Sequence, residues 1–255
     1  MRTDLLAPAE EPGLWTPPAP DTRIVRRRGF TLVWRHERGT AERVRVTPDE
    51  VPAALAEARE LARAAGVTEV VWWVGELTPP GTAGALVRSG LIPYVEEPLL
   101  VSLTIDRPPP AVPGVDVRRI ADLETYREAV EVDGEAWAMP EAARERRRAP
   151  AAASWESQEA SGVIEHHLAR VDGRPAGFGR LVATGPAGVL MGGSVAPWAR
   201  GRGAYRALMR SRWEASVARG TPRLVTSAGA MSAPVLARLG FARIGEVHLL
   251  RDPAV

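Results

Sequence analysis

The segment that most narrows the fold is Gly192-Gly193-Ser194-Val195-Ala196-Pro197-Trp198-Ala199-Arg200-Gly201-Arg202-Gly203-Ala204-Tyr205-Arg206-Ala207-Leu208. An apolar run ends at Val195, Pro197 stops a strand ladder, and a turn rich in Gly and Arg leads straight into a helix. Gly201 and Gly203 have no Cβ, so a ligand can approach their backbone closely. The first amides of the helix lack intrahelical partners and stand at the positive end of its dipole. The segment reads as an anion site that a pyrophosphate would fill, with Arg200 and Arg202 adding charge. It is not a P-loop, which needs Gly-Lys-Ser/Thr, because the chain contains no Lys. It is not the dinucleotide fingerprint either, since the third glycine is missing.

Composition removes several other chemistries. With no Cys among 255 residues, disulfides, thiolate nucleophiles and Cys-ligated zinc or iron–sulfur sites are excluded, and no metal site is expected. Without Lys, no Schiff base can form. All 33 basic residues are Arg against 31 acidic ones, so the net charge is only +2. The dense Arg clusters, Arg26 to Arg28 and Arg144 to Arg148, read as solvated faces, and no nucleic-acid partner is expected. No apolar run approaches the ~20 residues of a membrane span. The acidic, Pro-rich start lacks the apolar core of a secretory signal, so no membrane partner and a cytoplasmic location are expected.

Four regions follow from the patterning. Residues 1–22, with Pro12, Pro17, Pro18 and Pro20, read as an arm that is draped on the surface or disordered. A first lobe covers 23–106, with strands around Phe30 to Trp34 and Val70 to Val74 and a helix from Val51 to Ala65. Residues 107–114 are a linker carrying Pro108-Pro109-Pro110 and Pro113. A second lobe covers 115–255. It contains a hairpin turning at Asp172-Gly173, a strand from Gly188 to Val195, the helix from Gly203 to Arg219, and a short helix ended by Gly240. The tail Gly90 to Leu100 aligns with Gly240 to Leu250: the Gly, a Glu six residues on and the Leu-Leu pair share one register, which marks an internal repeat.

Val195-Ala196-Pro197-x-x-Arg200-Gly201-Arg202-Gly203-Ala204-Tyr205 resembles motif A of the GNAT superfamily of N-acetyltransferases, and Leu239-Gly240-Phe241 resembles the ending of its motif B. The first lobe lacks the Arg-x-x-Gly loop, so the resemblance is to a tandem protein with a degenerate first half. It implies an α/β fold of two GNAT-like lobes, each a mixed, mostly antiparallel sheet flanked by helices. It also implies acetyl-CoA as cosubstrate. Arg200, Gly201, Arg202, Gly203, Ala204 and Tyr205 would hold the pyrophosphate, and Ser194, Val195 and Ala196 would pair with pantetheine. The Val195 N–H would meet the carbonyl oxygen as it gains charge. The partners are then acetyl-CoA and an amine acceptor, with a homodimer allowed.

The chain departs from the family pattern in ways that bear on catalysis. Tyr205 stands where the motif has Gly or Ala, which directs a side chain toward the phosphate or reshapes the loop. Leu236 stands where many members place a Tyr acid. Ser232 can touch pantetheine, relay a proton or simply cap a helix. Glu165 and His167, with His166 between them, lie on a hairpin strand from which a base can reach a cleft. The expected function is transfer of an acetyl group from acetyl-CoA to a primary amine by direct attack. The alternative is a catalytically weak acyl-CoA-binding sensor or interaction protein. Gly203→Asp is expected to abolish acyl-CoA binding and leave the fold intact.

Overall fold

The computed structural model describes residues 3–18, 21–183 and 185–255; residues 1, 2, 19 and 20 of the expected arm, Pro20 among them, lie outside the described residues. Two compact units emerge: Met1–Thr104 with Thr226–Val255, and Ile105–Val225.

The first unit begins with α1 (Thr3–Glu10) and α2 (Pro12–Trp15), followed by β1 (Thr22–Arg26), β2 (Thr31–Arg35) and β3 (Arg38–Glu42). Helix α3 (Val51–Ala64), β4 (Glu69–Val74), α4 (Thr82–Arg88), β5 (Ile92–Pro93) and β6 (Leu99–Ile105) come next. Strands β1, β2 and β3 form an antiparallel meander, and β3 then pairs parallel with β4 from Arg38↔Glu69 to Ala41↔Trp72. The expected surface arm is instead partly core. Leu5, Leu6 and Ala9 are buried, because α1 presents them on one side to an otherwise open apolar surface. Glu10 enters with them: its carboxylate accepts the Glu76 amide at 2.9 Å and the Leu77 amide at 3.2 Å. Gly13 donates its amide to Glu42 at 2.9 Å, and Glu11 pairs with Arg45.

The second unit runs through β7 (Val115–Arg119), α5 (Leu123–Ala136), α6 (Glu141–Arg148), α7 (Ala151–Ser161), β8 (Ile164–Val171), β9 (Arg174–Ala183), β10 (Gly188–Val195) and α8 (Ala204–Ala218), and ends at Val225 within β11 (Leu224–Ala228). Its strands β7, β8, β9 and β10 are antiparallel in that order, and β10 pairs parallel with β11 at Gly188↔Leu224 and Val189↔Val225. The expected hairpin turn is present, with both Asp172 (φ 52) and Gly173 (φ 76) left-handed, as a two-residue turn of type I′ requires. Residues of the expected linker line α8: the Pro109 carbonyl accepts from Arg210 at 3.1 Å.

The chain then returns to the first unit with α9 (Ala233–Arg238) and β12 (Ala242–Asp252). The expected second lobe ran to residue 255, whereas residues 226–255 group with the first unit. The physical reason lies in β4. Val70, Val71, Trp72 and Val74 are buried, so this strand has apolar contacts on both faces and needs a neighbour on each edge. Strand β12 provides the second edge, from His248↔Val74 to Asp252↔Val70, and pairs on its other side with β6. Asp252, buried at the end of β12, receives both arms of Arg59 at 2.8 and 3.0 Å.

The two aligned tails share one backbone geometry. Gly90 (φ 100) and Gly240 (φ 94) end α4 and α9 in the left-handed region. The next amides, of Leu91 and Phe241, reach back five residues to Leu86 and Leu236, each at 3.1 Å. Leu91 and Phe241 are both buried beneath the turn.

Candidate functional site

The second unit builds its site from the end of β10, the loop after it and the start of α8. Pro197 ends the ladder, a single 3-10 turn spans Pro197–Ala199, and Gly201 (φ 76) and Gly203 (φ 89) take left-handed conformations that favour glycine. Gly203 is the N-cap of α8 and supplies no side-chain cap. The first intrahelical bond is Ala207 N–H to Gly203 O at 3.0 Å, so the amides of Ala204, Tyr205 and Arg206 have no partner within the helix.

The arginines of the loop are held in place. Arg200 donates to the Ala136 carbonyl at 2.9 Å, and Arg202 pairs with Asp172 at 2.6 Å. Arg174 stacks on Trp198 with its guanidinium 4.2 Å from the ring centre. Tyr205 does not point out of the loop toward a phosphate. Its ring lies against the sheet, where a Cβ on Gly193 would come within 3.1 Å of Cε2. Burial pushes the Tyr205 phenol above its ordinary pKa, with Arg212 acting in the other direction.

Strand β10 is irregular where it approaches the loop. A bulge falls between Met191 and Gly193, and Gly192 takes φ 63 and is exposed. Beyond the bulge the ladder with β9 resumes through Val195↔Gly177, and Ala196 donates to Ala176 O at 2.9 Å. Successive amides of a strand point to opposite edges, so the Val195 N–H faces away from β9.

The sequence-predicted catalytic residues divide. Glu165 and His167 share the face of β8 that meets α8. His167 Nδ1 lies 2.9 Å from Ser211 Oγ, and its Nε2 is 3.8 Å from Glu165. Glu165 is paired with Arg219 and stands 3.8 Å from Arg119. Burial, reinforced by Arg212, pulls His167 down to about 3, so its ring is neutral at pH 7. His166 faces the other way, into a box of Tyr126, Trp155 and Phe178, and burial pulls it to about 3 as well. Ser232 belongs to the first unit, where its hydroxyl donates to Gly229 O at 3.5 Å and caps no amide of α9. Leu236 is buried core. Three arginines of α6 pair with carboxylates: Arg144 and Arg148 with Glu131 and Glu141, and Arg147 with Asp133.

Two groups escaped the sequence reading. Arg212 of α8 is wholly buried beneath the β10 bulge. Glycines at 179 and 193, opposite each other in β9 and β10, were the available signal for a large group seated there.

The chain matches no protein-family model and no curated protein sequence. Solved structures do resemble it. A tandem GNAT protein from the clavulanic acid biosynthesis pathway aligns over 95% of this chain and 86% of its own, at 22% identity and a TM-score of 0.68. This is the tandem GNAT fold. A GCN5-related N-acetyltransferase from Kribbella flavida aligns over 97% of this chain and 94% of its own (22% identity, TM-score 0.71). One from Sphaerobacter thermophilus aligns over 91% and 75% (18% identity, TM-score 0.62). The expected α/β architecture of mostly antiparallel sheets flanked by helices is thus the observed one. Among the described residues no helix of this GNAT fold is long and apolar enough to cross a membrane.

Proposed function

We propose that the chain is an acetyl-CoA-dependent N-acetyltransferase that acts on a primary amine through its second unit. The observation that carries this reading is the junction of β10 and α8. There, left-handed glycines at 201 and 203 precede three helix-start amides without intrahelical partners. Such amides suit a pyrophosphate, and Gly201, which has no neighbour within 4 Å of its missing Cβ, leaves the backbone approachable.

In this reading Arg200, Gly201, Arg202, Gly203, Ala204 and Tyr205 hold the diphosphate, with Tyr205 contributing its amide while its ring packs inward. Ser194, Val195 and Ala196 present the backbone to pantetheine, and the outward Val195 N–H stabilises the carbonyl oxygen as it gains charge. The amine attacks the thioester carbon as a free base, forming the amide bond and releasing a thiol. Its proton leaves through water or a neutral acceptor. His166 and His167 are both neutral at pH 7, so each ring keeps one N–H and has one nitrogen in the acceptor form. Their side chains, with Glu165 and Ser232, are engaged or enclosed as described, which favours water as the first acceptor.

The test is calorimetric titration with acetyl-CoA, then thiol release against a panel of primary amines on the same sample. Micromolar binding and amine-dependent thiol release are expected. Binding with no release by any amine would return the chain to the sensor reading, and no binding would remove both.

A further inference from the structure

Arg212 is fully buried in the second unit, and no ion pair among the described residues includes it. Backbone carbonyls satisfy it instead. Its Nε donates to Leu208 O at 3.2 Å, and its Nη1 donates to Arg180 O at 3.2 Å and Gly192 O at 3.0 Å. Nη2 has the weakly accepting Met209 sulfur at 3.5 Å. Burial lowers its pKa to about 10, so it stays charged at pH 7. A buried cation facing only dipoles is an expensive arrangement to keep for packing alone.

The surrounding backbone is cut to fit it. A Cβ on Gly179 would fall 2.8 Å from the Arg212 guanidinium carbon, and one on Gly193 would fall 3.1 Å from the Tyr205 ring. The paired glycines therefore open a slot between the sheet and α8 that the guanidinium and the phenol fill. Gly192 sits in the bulge, and its carbonyl is turned out of the ladder onto Arg212. A trans peptide places its C=O and the following N–H on opposite sides. With the Gly192 carbonyl held on the α8 side, the Gly193 N–H points to the other.

We infer that Arg212 is a positioning residue: by holding the Gly192 carbonyl against α8 it fixes the Gly192–Gly193 peptide, and with it the stretch of β10 that presents the Val195 N–H to the carbonyl of a bound acyl thioester. This rests on the acetyl-CoA reading above. The buried guanidinium also contributes positive potential at the place where that carbonyl oxygen gains charge.

The experiment uses the full chain, acetyl-CoA carrying 13C at the acetyl carbonyl, and CoA itself. The wild type is expected to shift the bound carbonyl resonance downfield of free acetyl-CoA. Arg212→Met is expected to abolish that shift and to change CoA affinity by less than about threefold. With any amine acceptor found, it should lower kcat about a hundredfold at nearly constant KM, the scale of a lost oxyanion donor. Arg212→Lys, which keeps the charge and one donor direction, should restore part of the shift. Should Arg212→Met fail to fold, Gly179→Ala displaces the guanidinium without deleting it and must give the same loss. A folded variant that is less heat-stable but keeps the full carbonyl shift overturns the inference alone. A wild type that binds no acetyl-CoA overturns the acetyl-CoA reading, and this one with it.

Discussion

Where β3 meets α3 in the first unit, the chain closes its own helix entry; where β10 meets α8 in the second, it supplies glycine instead. Both junctions follow a strand that pairs parallel with the next strand of its sheet. At the first, Glu50 accepts from the Thr47 amide at 2.8 Å and from its hydroxyl at 3.0 Å, so the turn is bonded to itself. Pro48 and Pro52 remove two amides, and Asp49 and Glu50 place negative charge where an anion would have to sit. Glu10 of α1 already occupies the amides of Glu76 and Leu77 after β4. At the second junction the N-cap of α8 is a bare Gly203, and the charged side chains of the loop itself are arginines, of which Arg202 pairs with Asp172. The same architecture thus serves once as a self-contained support and, in the proposed reading, once as a receptor for charge. A handful of residues at a helix entry decides which.

That contrast breaks most visibly at Gly201. Gly203→Asp is a poorer probe than the sequence indicated, because its Cβ would fall 2.5 Å from Val112 and the mutation would strain the fold as well. A Cβ at position 201 would meet no non-adjacent atom of the described residues within 4 Å, and Asp tolerates a left-handed φ better than most residues. Gly201→Asp should weaken acetyl-CoA binding by at least about a hundredfold through charge repulsion, read by calorimetry, while the protein stays folded by circular dichroism. The converse test lies in the first unit. Leu236→Ala should cost about 2–5 kcal/mol in denaturant unfolding by leaving a cavity under α9. Acetyl-CoA affinity should be unaltered under native conditions if the second unit alone binds it.

A third expectation concerns protons. Burial raises Glu42 to about 7, above its ordinary 4.5. Between those values the unfolded chain ionises Glu42 while the native state keeps it protonated, so stability falls as pH rises through that window and levels off above it. Glu42→Gln should match the wild type near pH 5 and exceed it at pH 8 by roughly 1–3 kcal/mol, measured by urea unfolding. Equal stabilities at pH 8 would mean that Glu42 is ionised without penalty. The smallest effect is at the closed helix entry: Glu50→Ala should lower the urea midpoint only slightly and leave acetyl-CoA binding untouched.

Much of the second unit was readable in advance because its signals are local. A left-handed turn needs Asp172-Gly173, a helix entry through left-handed backbone favours Gly201 and Gly203, and a strand stop needs Pro197. The aligned tails at Gly90 and Gly240 were legible for the same reason. What escaped depends on distant partners. Nothing within β12 says which strand edges it joins, so its place between β4 and β6 could not be read from its own pattern. Helix α1 looked like a polar arm because Pro8 and the Glu10-Glu11 pair mask three residues, Leu5, Leu6 and Ala9, that find their burial only against the folded unit. Arg212 looked like one more arginine on an Arg-rich helix, since the acceptors that justify its burial include Arg180 and Gly192 on other strands. Glu165 and His167 were rightly placed on a hairpin strand, but periodicity could not say that α8 and Arg219 would hold them.

The insertion of β12 beside β4 also sets a timetable. During synthesis at about 5–20 residues per second, β4 leaves the ribosome on the order of ten seconds or more before β12 exists. Throughout that interval Val70 to Val74, two of them Trp, wait with one edge unpaired, in a stretch apolar enough to recruit a neighbouring nascent chain. The second unit's own strands from β7 to β10 can meanwhile pair as they emerge, since each joins the one before it. The half of the protein made first is therefore the half completed last, and any pause or premature stop before residue 242 strands it in its most adhesive form.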